Sequence, residues 1–582
     1  MKKVIPFLLI ISFFIISCSD NKKEKNIVKK VAKGDYCYGG NLKVNENGTY
    51  HTLYPYNIID ITSLRIASQI YEGLVKYDMK DLSIIPSIAK SWTIDSTGKT
   101  YTFILKDSVK FHDDPCFSDN IGRLVTSEDV VYSFKLLCTY SKSNQYFKNT
   151  FSGRVLGADE YYEASKNGVP NFDIKGIKAI DSKTVQITLS QPSSTFIYAM
   201  AQPGTFIVPK EGVEKYGEEL KIGTGPYKMA NNLNKDTLIL TKNYNYYEFD
   251  SLGNQLPYID SITITFINSK DEEFELFKKE QLDIITNINS ESFNQIIQEN
   301  IADFNSKNPK YVSDRKTDMT VYYLLFNMQN KLLLNKDLRL ALIYAIDKQK
   351  IIKQILKSED IEDVILGITP KNTFNNYDSL KTLTGLNYDL VKARECLKKA
   401  GYSDVNKLPK IKLLINNREN VNTIIAQSIQ TQLLNNLGIK IEYENIPIKE
   451  QLQNAQYGKF DMLLTTWTAD YPSPESFLWL FYGKNNPKLE KDPSFPNFGR
   501  YINNDYDKLY EEGKKSLKTK ESYLKFAQAE QILINDAPFS AIWYPENNRI
   551  YYSKVKGFYF NALKYVDYSK VYIKKYFEEK SN

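Results

Sequence analysis

At 582 residues and 67.3 kDa, the chain is too long for a single hydrophobic core and is expected to divide into two or three domains. Its 42% apolar and 25% charged content is that of an ordinary soluble protein. The formal charge of +7 loses Lys2 and Lys3 with the leader and a net three more with residues 19–35; about +2 remains on the body, which gives no electrostatic case for nucleic acid. The 43 tyrosines fit either an aromatic cleft or plain compositional bias.

The first segment has Lys2 and Lys3, then an apolar run from Val4 to Ile16 broken only by Pro6 and Ser12. Such a run suits a signal-peptide core and is shorter than the roughly 20 residues that span a bilayer. Ser17-Cys18 resembles a bacterial lipobox, which implies a signal peptide of residues 1–17 and acylation at Cys18; a plain secretory peptide with an incidental cysteine is the alternative. Several acyl chains would hold the protein to a membrane without a spanning helix. Residues 18–35 are lysine-rich, lack an apolar helical period and read as a disordered tether.

Between 36 and about 320, strand-like runs such as TYTFILKD and KTVQITLS alternate with turn-rich pieces. TSEDVVYSFKLL predicts a helix capped by Thr126 or Ser127. Of the remaining cysteines, Cys116 and Cys138 are the candidate disulfide, since export permits one. Cys396 lies on a predicted helix with Leu390, Ala393, Leu397 and Ala400 on its apolar face, ended by Gly401; it reads as a buried free thiol. Arg339, in DLRLALIYAID, is expected on a helix surface or in an interlobe ion pair.

From 409 the alternation becomes regular. Residues 410–416 predict a strand, 421–438 a helix stopped by Gly438, 439–446 a second strand, 449–458 a short helix and 460–467 a third, buried strand. A further helix begins in SPESFLWLFYG, with Ser473 as N-cap and Pro474 at its first position. Right-handed crossovers in β-α-β-α-β make the strands parallel, and ligands bind outside their carboxyl ends. Asp470, in WTADYPSPESF, stands just past the third strand. It is either a ligand-facing carboxylate or an Asx-turn residue that shapes the loop.

The common enzyme motifs are missing from the sequence, though paired carboxylates of a glycosidase type carry no sequence signature. Its two histidines, His51 and His112, are far apart, and there is no G-x-S-x-G, H-E-x-x-H, C-x-x-C or Walker A motif. No metal or other cofactor is expected, and His112 reads as structural. GTGPYK (223–228) lacks the third glycine of a dinucleotide fingerprint, and its glycines suit a tight turn near a hinge.

A series of motifs runs in order along nearly the whole mature chain: QIYEGLVKYD (69–78), IIPSIAKSW (84–92), GKTYTFILKDSVKFHDD (98–114), SEDVVYSF (127–134), IGTGPYKM (222–229), NYNYYE (243–248), LLFNMQNKLLLNKDLRLALIYAIDK (324–348), YDLVKARECLKKAGY (388–402), FDMLLTTWTADYPSPESFL (460–478) and DAPFSAIWY (536–544). Together they resemble the family 5 extracellular solute-binding proteins of ABC importers, which include oligopeptide- and dipeptide-binding lipoproteins. One departure is that Asp114 replaces a glycine and PCFSDNIGRLV follows as an insertion, which a Cys116–Cys138 disulfide would fasten.

The resemblance implies an α/β, two-lobed periplasmic-binding-protein fold of type II, in its large three-domain variant, with a hinge between lobes. Lobe I would use residues 36–76, 200–315 and 548–582, an appended domain 77–199, and lobe II 316–547. In peptide-binding members the acid of W-x-x-D pairs with the ligand's α-ammonium; the matching residues are Trp467 and Asp470, with Tyr471 and Trp467 as possible packing surfaces for the first residue. The implied function is capture of oligopeptides by a monomer, without catalysis, and delivery to the permease subunits of an ABC transporter on the periplasmic side or cell surface. Alternatives are a non-peptide solute (oligosaccharide, metal chelate or haem) on the same scaffold, an exported hydrolase, or a surface adhesin.

Overall fold

In the computed structural model, residues 32–574 are described except 145, 231–236, 287, 289, 357–366, 372, 375–376, 382–385, 418–419 and 490. The leader and Cys18 lie outside the described residues, as does all but the end of the tether. No helix among the described residues is long and apolar enough to cross a membrane.

Three sheets of four or more strands organise the described residues. The largest has seven strands in the order Tyr311–Thr317, Glu546–Tyr552, Ile284–Thr286, Asn41–Glu46, Ser261–Phe266, Thr237–Lys242 and Tyr227–Met229, so it is assembled from distant parts of the sequence. A four-stranded antiparallel sheet contains Ala89–Ile94, Thr100–Leu105, Thr184–Thr188 and Ile177–Asp181. Against it packs the helix Ser127–Leu137, whose N-cap is Thr126; the Thr126 side chain and Asp129 form the reciprocal capping box.

The third sheet contains the predicted β-α-β-α-β unit: β1 (Ile411–Asn416), α1 (Asn420–Leu437), β2 (Ile441–Ile446), α2 (Ile448–Gln456) and β3 (Met462–Thr468). Strand β1 pairs in parallel with both β2 and β3. The sheet continues from β3 through Thr320–Phe326 to Phe539–Trp543, both antiparallel. The central strand Thr320–Phe326 is buried along its whole length and β3 is buried over its first four residues, so both faces are covered there and these stretches read as nearly continuous apolar runs.

The chain passes between the seven- and five-stranded sheets at residues 318–319 and again at 544–545, and the two crossings are bonded to each other by Asp318 N–H to Pro545 O (2.9 Å). The buried Asp318 carboxylate pairs with Lys564 at 2.7 Å, and Met319 N–H donates to Ala562 O at 3.0 Å. The C-terminal segment therefore clasps one crossing.

The GTG turn packs beside the helix Ile61–Ile70. A Cβ on Gly223 would stand 2.2 Å from Ile70 O and one on Gly225 2.4 Å from Gln69 O, so close approach, and not positive φ, requires these glycines. His112 clasps the same turn: its Nε2 lies 2.9 Å from Gly225 O, and Gly223 N–H points to Nδ1 at 3.4 Å. Burial pushes the imidazole down to about 4, so it stays neutral, donating through Nε2 and accepting at Nδ1. Thr224 donates to the buried Glu72 carboxylate (2.9 Å), which also accepts from Tyr246 (2.7 Å) and Tyr247 (3.0 Å) and lies 4.0 Å from Lys76.

Several expectations are corrected. Arg339 is buried, not on a surface or in an interlobe ion pair: Nε donates to Ala537 O (2.9 Å), Nη1 to Leu333 O (2.6 Å) and Leu334 O (3.1 Å), and Nη2 to Asp536 O (2.6 Å). It thereby satisfies carbonyls left open where the helix Thr519–Asp536 ends. Cys396 is free and half-buried, less enclosed than its helical spacing suggests. The helix after the prolines is short, an α turn at Glu475–Leu478 followed by a 3-10 turn at Trp479–Phe481; Ser473 Oγ accepts from Glu475 N–H at 3.3 Å.

The Cys116–Cys138 disulfide is not formed in this structure; both thiols are free. Their surroundings differ: Cys116 lies by Asp114 and Glu211, and Cys138 is buried at the end of its helix near Asp159. The insertion is held in another way. Arg123 donates to both oxygens of Asp129 (2.8 and 2.6 Å) and both of Glu211 (2.6 and 2.9 Å), while Phe117 stacks on Phe111. Such bidentate charge-assisted bonds are among the strongest polar contacts a surface loop can make.

Candidate functional site

The site grows out of the end of β3. Register with Thr320–Phe326 runs without a slip from Phe326↔Met462 to Thr320↔Thr468, and Ala469 N–H donates to Met319 O at 2.8 Å. Residue 469 is thus fixed to the first crossing, and Asp470 is the next residue along. The loop is then folded over Ser476: Asp470 N–H donates to Ser476 Oγ (3.0 Å) and the Trp467 indole N–H to Ser476 O (2.8 Å). Both remaining segments of the loop carry a proline, whose fixed φ limits its freedom.

Asp470 faces a cavity of about 240 Å³. One wall comes from its own loop, with Tyr471, Glu475 and Trp479; the opposite wall comes from residues 148–154 beside the four-stranded sheet, with Arg154 among them; Lys514 closes a side. The walls touch across the cleft. Ser194 N–H donates to Lys514 O (2.9 Å), Gln202 Nε2 donates to Asp470 O (2.8 Å), and Tyr198 stacks on Tyr471 with centroids 5.9 Å apart and planes 6° apart.

The two carboxylates in this cavity differ. Glu475 is buried, and its oxygens accept the hydroxyls of Tyr471 and Tyr510. The Asp470 carboxylate keeps accessible surface and has no hydrogen-bond or ion-pair partner among the described residues, yet protein surrounds it at longer range. Desolvation, reinforced by the Glu475 charge and opposed by Arg154, pushes it up to about 6. A carboxylate that is solvent-accessible and has no hydrogen-bonded or ion-paired partner among the described residues is chemically able to accept a cation.

Asp470 and Tyr471, both singled out from the sequence, thus share this cavity. Trp467 stands outside its lining, packing edge-on against Trp479 with centroids 6.2 Å apart, and it is Trp479 that reaches the cavity. Sequence reasoning missed Arg154, Glu475, Lys514 and Gln202. Glu475 and Trp479 lie in the same quoted stretch and could have been flagged; Arg154, in SGRVLG, carries no motif. A larger groove of about 900 Å³ lies near Lys412, Tyr457 and Asp461, at the amino ends of β1 and β3. Size favours that groove, but ligand sites in such sheets lie at the carboxyl ends, where Asp470 is.

Comparison with known proteins agrees with the topology. The family described as bacterial extracellular solute-binding proteins, family 5 middle, matches residues 83–488. The dipeptide-binding protein DppE of Bacillus subtilis (strain 168) is 24% identical over 574 residues, covering 96% of each chain. The oligopeptide-binding protein OppA of the same organism is 25% identical over 575 residues, covering 96% of this chain and 97% of its own. Among solved structures, the periplasmic binding protein DppA from Helicobacter pylori in complex with the peptide STSA superposes with a TM-score of 0.70 at 24% identity, covering 93% of this chain and 99% of the other. The α/β fold is therefore that of the two-lobed periplasmic binding proteins. Spanning more than half its length, the match makes this chain a member of the family 5 bacterial extracellular solute-binding proteins, a group that binds solutes and does not convert them.

Proposed function

We propose that the protein is a lipid-anchored, extracytoplasmic substrate-binding protein that captures peptides between its lobes and delivers them to an ABC permease. The observation that carries this reading is the Asp470 carboxylate, open to the cavity and without a hydrogen-bond or ion-pair partner among the described residues. It takes the ligand's α-ammonium, Tyr471 walls the first residue, and Trp467 acts by supporting Trp479. The names of the relatives, which bind dipeptides or oligopeptides, support the ligand class. At about 240 Å³, below the roughly 300 Å³ at which drug-sized pockets begin, the cavity suits the leading residue or two, with the rest of a longer peptide lying along the cleft.

In this reading lobe I comprises residues 36–76, 200–315 and 548–582, the appended domain 77–199 and lobe II 316–547, with the crossings at 318–319 and 544–545 as hinge. The anchor rests on Ser17-Cys18 in the sequence, and the protein acts as a monomer.

Native mass spectrometry of protein purified without denaturation tests the ligand class. Retained masses that fragment into peptide series are expected; retained oligosaccharide or haem would overturn it. Acyl-chain mass on wild type that disappears in Cys18→Ser tests the anchor separately.

A further inference from the structure

The cavity beside Asp470 has an unbalanced set of charges. Three cationic side chains, Lys148, Arg154 and Lys514, line it with two carboxylates, Asp470 and Glu475. Glu475 is already occupied by two tyrosine hydroxyls. Arg154 is not: its Nη1 is buried without a hydrogen-bond partner among the described residues. A guanidinium stays charged under all physiological conditions, and a buried donor left unpaired costs the fold its desolvation.

Arg154 is also held in place. Its carbonyl accepts from Ser190 N–H at 2.8 Å, its own N–H donates to Phe151 O at 3.0 Å, and the next residue, Val155, bridges to Leu189. The side chain thus comes from the unit opposite Asp470, close enough for the two charges to sense each other but with no ion pair between them. Lys514 gives the same sign of imbalance: burial draws its proton affinity down, with Glu475 only partly compensating and Arg154 adding repulsion.

An α-ammonium docking on Asp470 would bring a fourth positive charge into this space. Such docking would also use up the Asp470 charge and leave the Arg154 guanidinium still without a partner; an added anion supplies one, and the planar fork of Arg154 matches a carboxylate. Resting on the reading of Asp470 above, we infer that Arg154 is a specificity-determining residue that binds a ligand carboxylate near the peptide's amino terminus. That carboxylate is either the acidic side chain of a leading residue or the terminal carboxylate of a dipeptide. Both place an anion within a residue or two of the ammonium, as the small cavity requires.

Titration calorimetry with matched peptides distinguishes the two sources. Glu-Ala-Ala against Gln-Ala-Ala reads the side-chain source; Ala-Ala against Ala-Ala-amide reads the terminal one. Wild type is expected to favour the carboxylate-bearing member of at least one pair about tenfold or more. Arg154→Gln should reduce that preference to about twofold or less, and Arg154→Lys should restore part of it. Absence of preference in both wild-type pairs, or a preference that Arg154→Gln leaves intact, overturns the inference. Ala-Ala-Ala against its N-acetyl form is the control for Asp470: discrimination there with no carboxylate preference sinks only the role of Arg154, whereas loss of that discrimination removes the reading on which it rests. The wild-type comparisons hold whether or not a variant folds.

Discussion

Replacing Asp470 by asparagine separates the cost of an uncompensated charge from its use. Asparagine keeps the shape and removes the charge. Raising the carboxyl from its usual 3.8 to about 6 would correspond, at about 1.4 kcal/mol per pH unit, to a ceiling of about 3 kcal/mol against the folded state at pH 7.5. Because the carboxylate keeps accessible surface, water screens much of that, and about 1 kcal/mol is the appropriate figure. In a protein of this size that is a rise of about 1–2 °C in the melting temperature of the unliganded Asp470→Asn variant. Peptide binding should move the other way, since a charged hydrogen bond is worth about 1.5–3 kcal/mol, or roughly 10- to 150-fold in Kd. Scanning fluorimetry of ligand-free protein and calorimetry with Ala-Ala-Ala and N-acetyl-Ala-Ala-Ala measure both. Acetylation should weaken binding to wild type and add no further loss in the variant. A variant that still discriminates the free from the acetylated peptide would refute the assignment.

The same carboxylate sets a pH window. Below about 6 it protonates while the α-ammonium stays charged, so affinity for free peptides should fall about tenfold per pH unit there and be insensitive to pH for acetylated ones; calorimetry from pH 5 to 8 reads this. Glu72, raised to about 7 chiefly by burial, with Lys76 opposing and Glu248 adding to the rise, binds a proton in the folded state that the unfolded chain has released. Its contribution to stability is fully present below about 4.5 and is lost as pH rises through about 7; Glu72→Gln should therefore flatten the fall in melting temperature between pH 5.5 and 8. Gly225→Ala should destabilise by about 1–3 kcal/mol in a denaturant titration, because its Cβ meets the Gln69 carbonyl. Arg123→Met should release the 115–125 insertion to limited proteolysis, leaving Asp129 buried without its counter-charge.

The β-α-β-α-β unit was legible because its signals are local. Strand alternation, Gly438 at a helix end and the apolar run of β3 each act within a few residues, and strand handedness then put Asp470 at a carboxyl edge. The seven-stranded sheet was not legible from pattern, since Asn41–Glu46 finds its partners more than 200 residues away. Arg339 misled for a related reason: its helix looks amphipathic, but the carbonyls it satisfies belong to a helix end nearly 200 residues later. The cavity is the extreme case. Asp470 announced itself through its loop, whereas Arg154 and Lys514 matter only because folding brings them to the same place, and no spacing in the sequence encodes that meeting.

The bond between Ala469 N–H and Met319 O ties the acid loop to one of the two crossings, one residue from Asp470. Points near an axle travel least when the arms turn about it. If the lobes part at these crossings, Asp470 stays almost stationary relative to the pivot while the opposite wall, with Arg154, moves away. A ligand would then be held first by its ammonium at a fixed post and inspected by the guanidinium only as the jaws shut. Selectivity arising in that second step would show in how long the ligand stays, much more than in how fast it arrives.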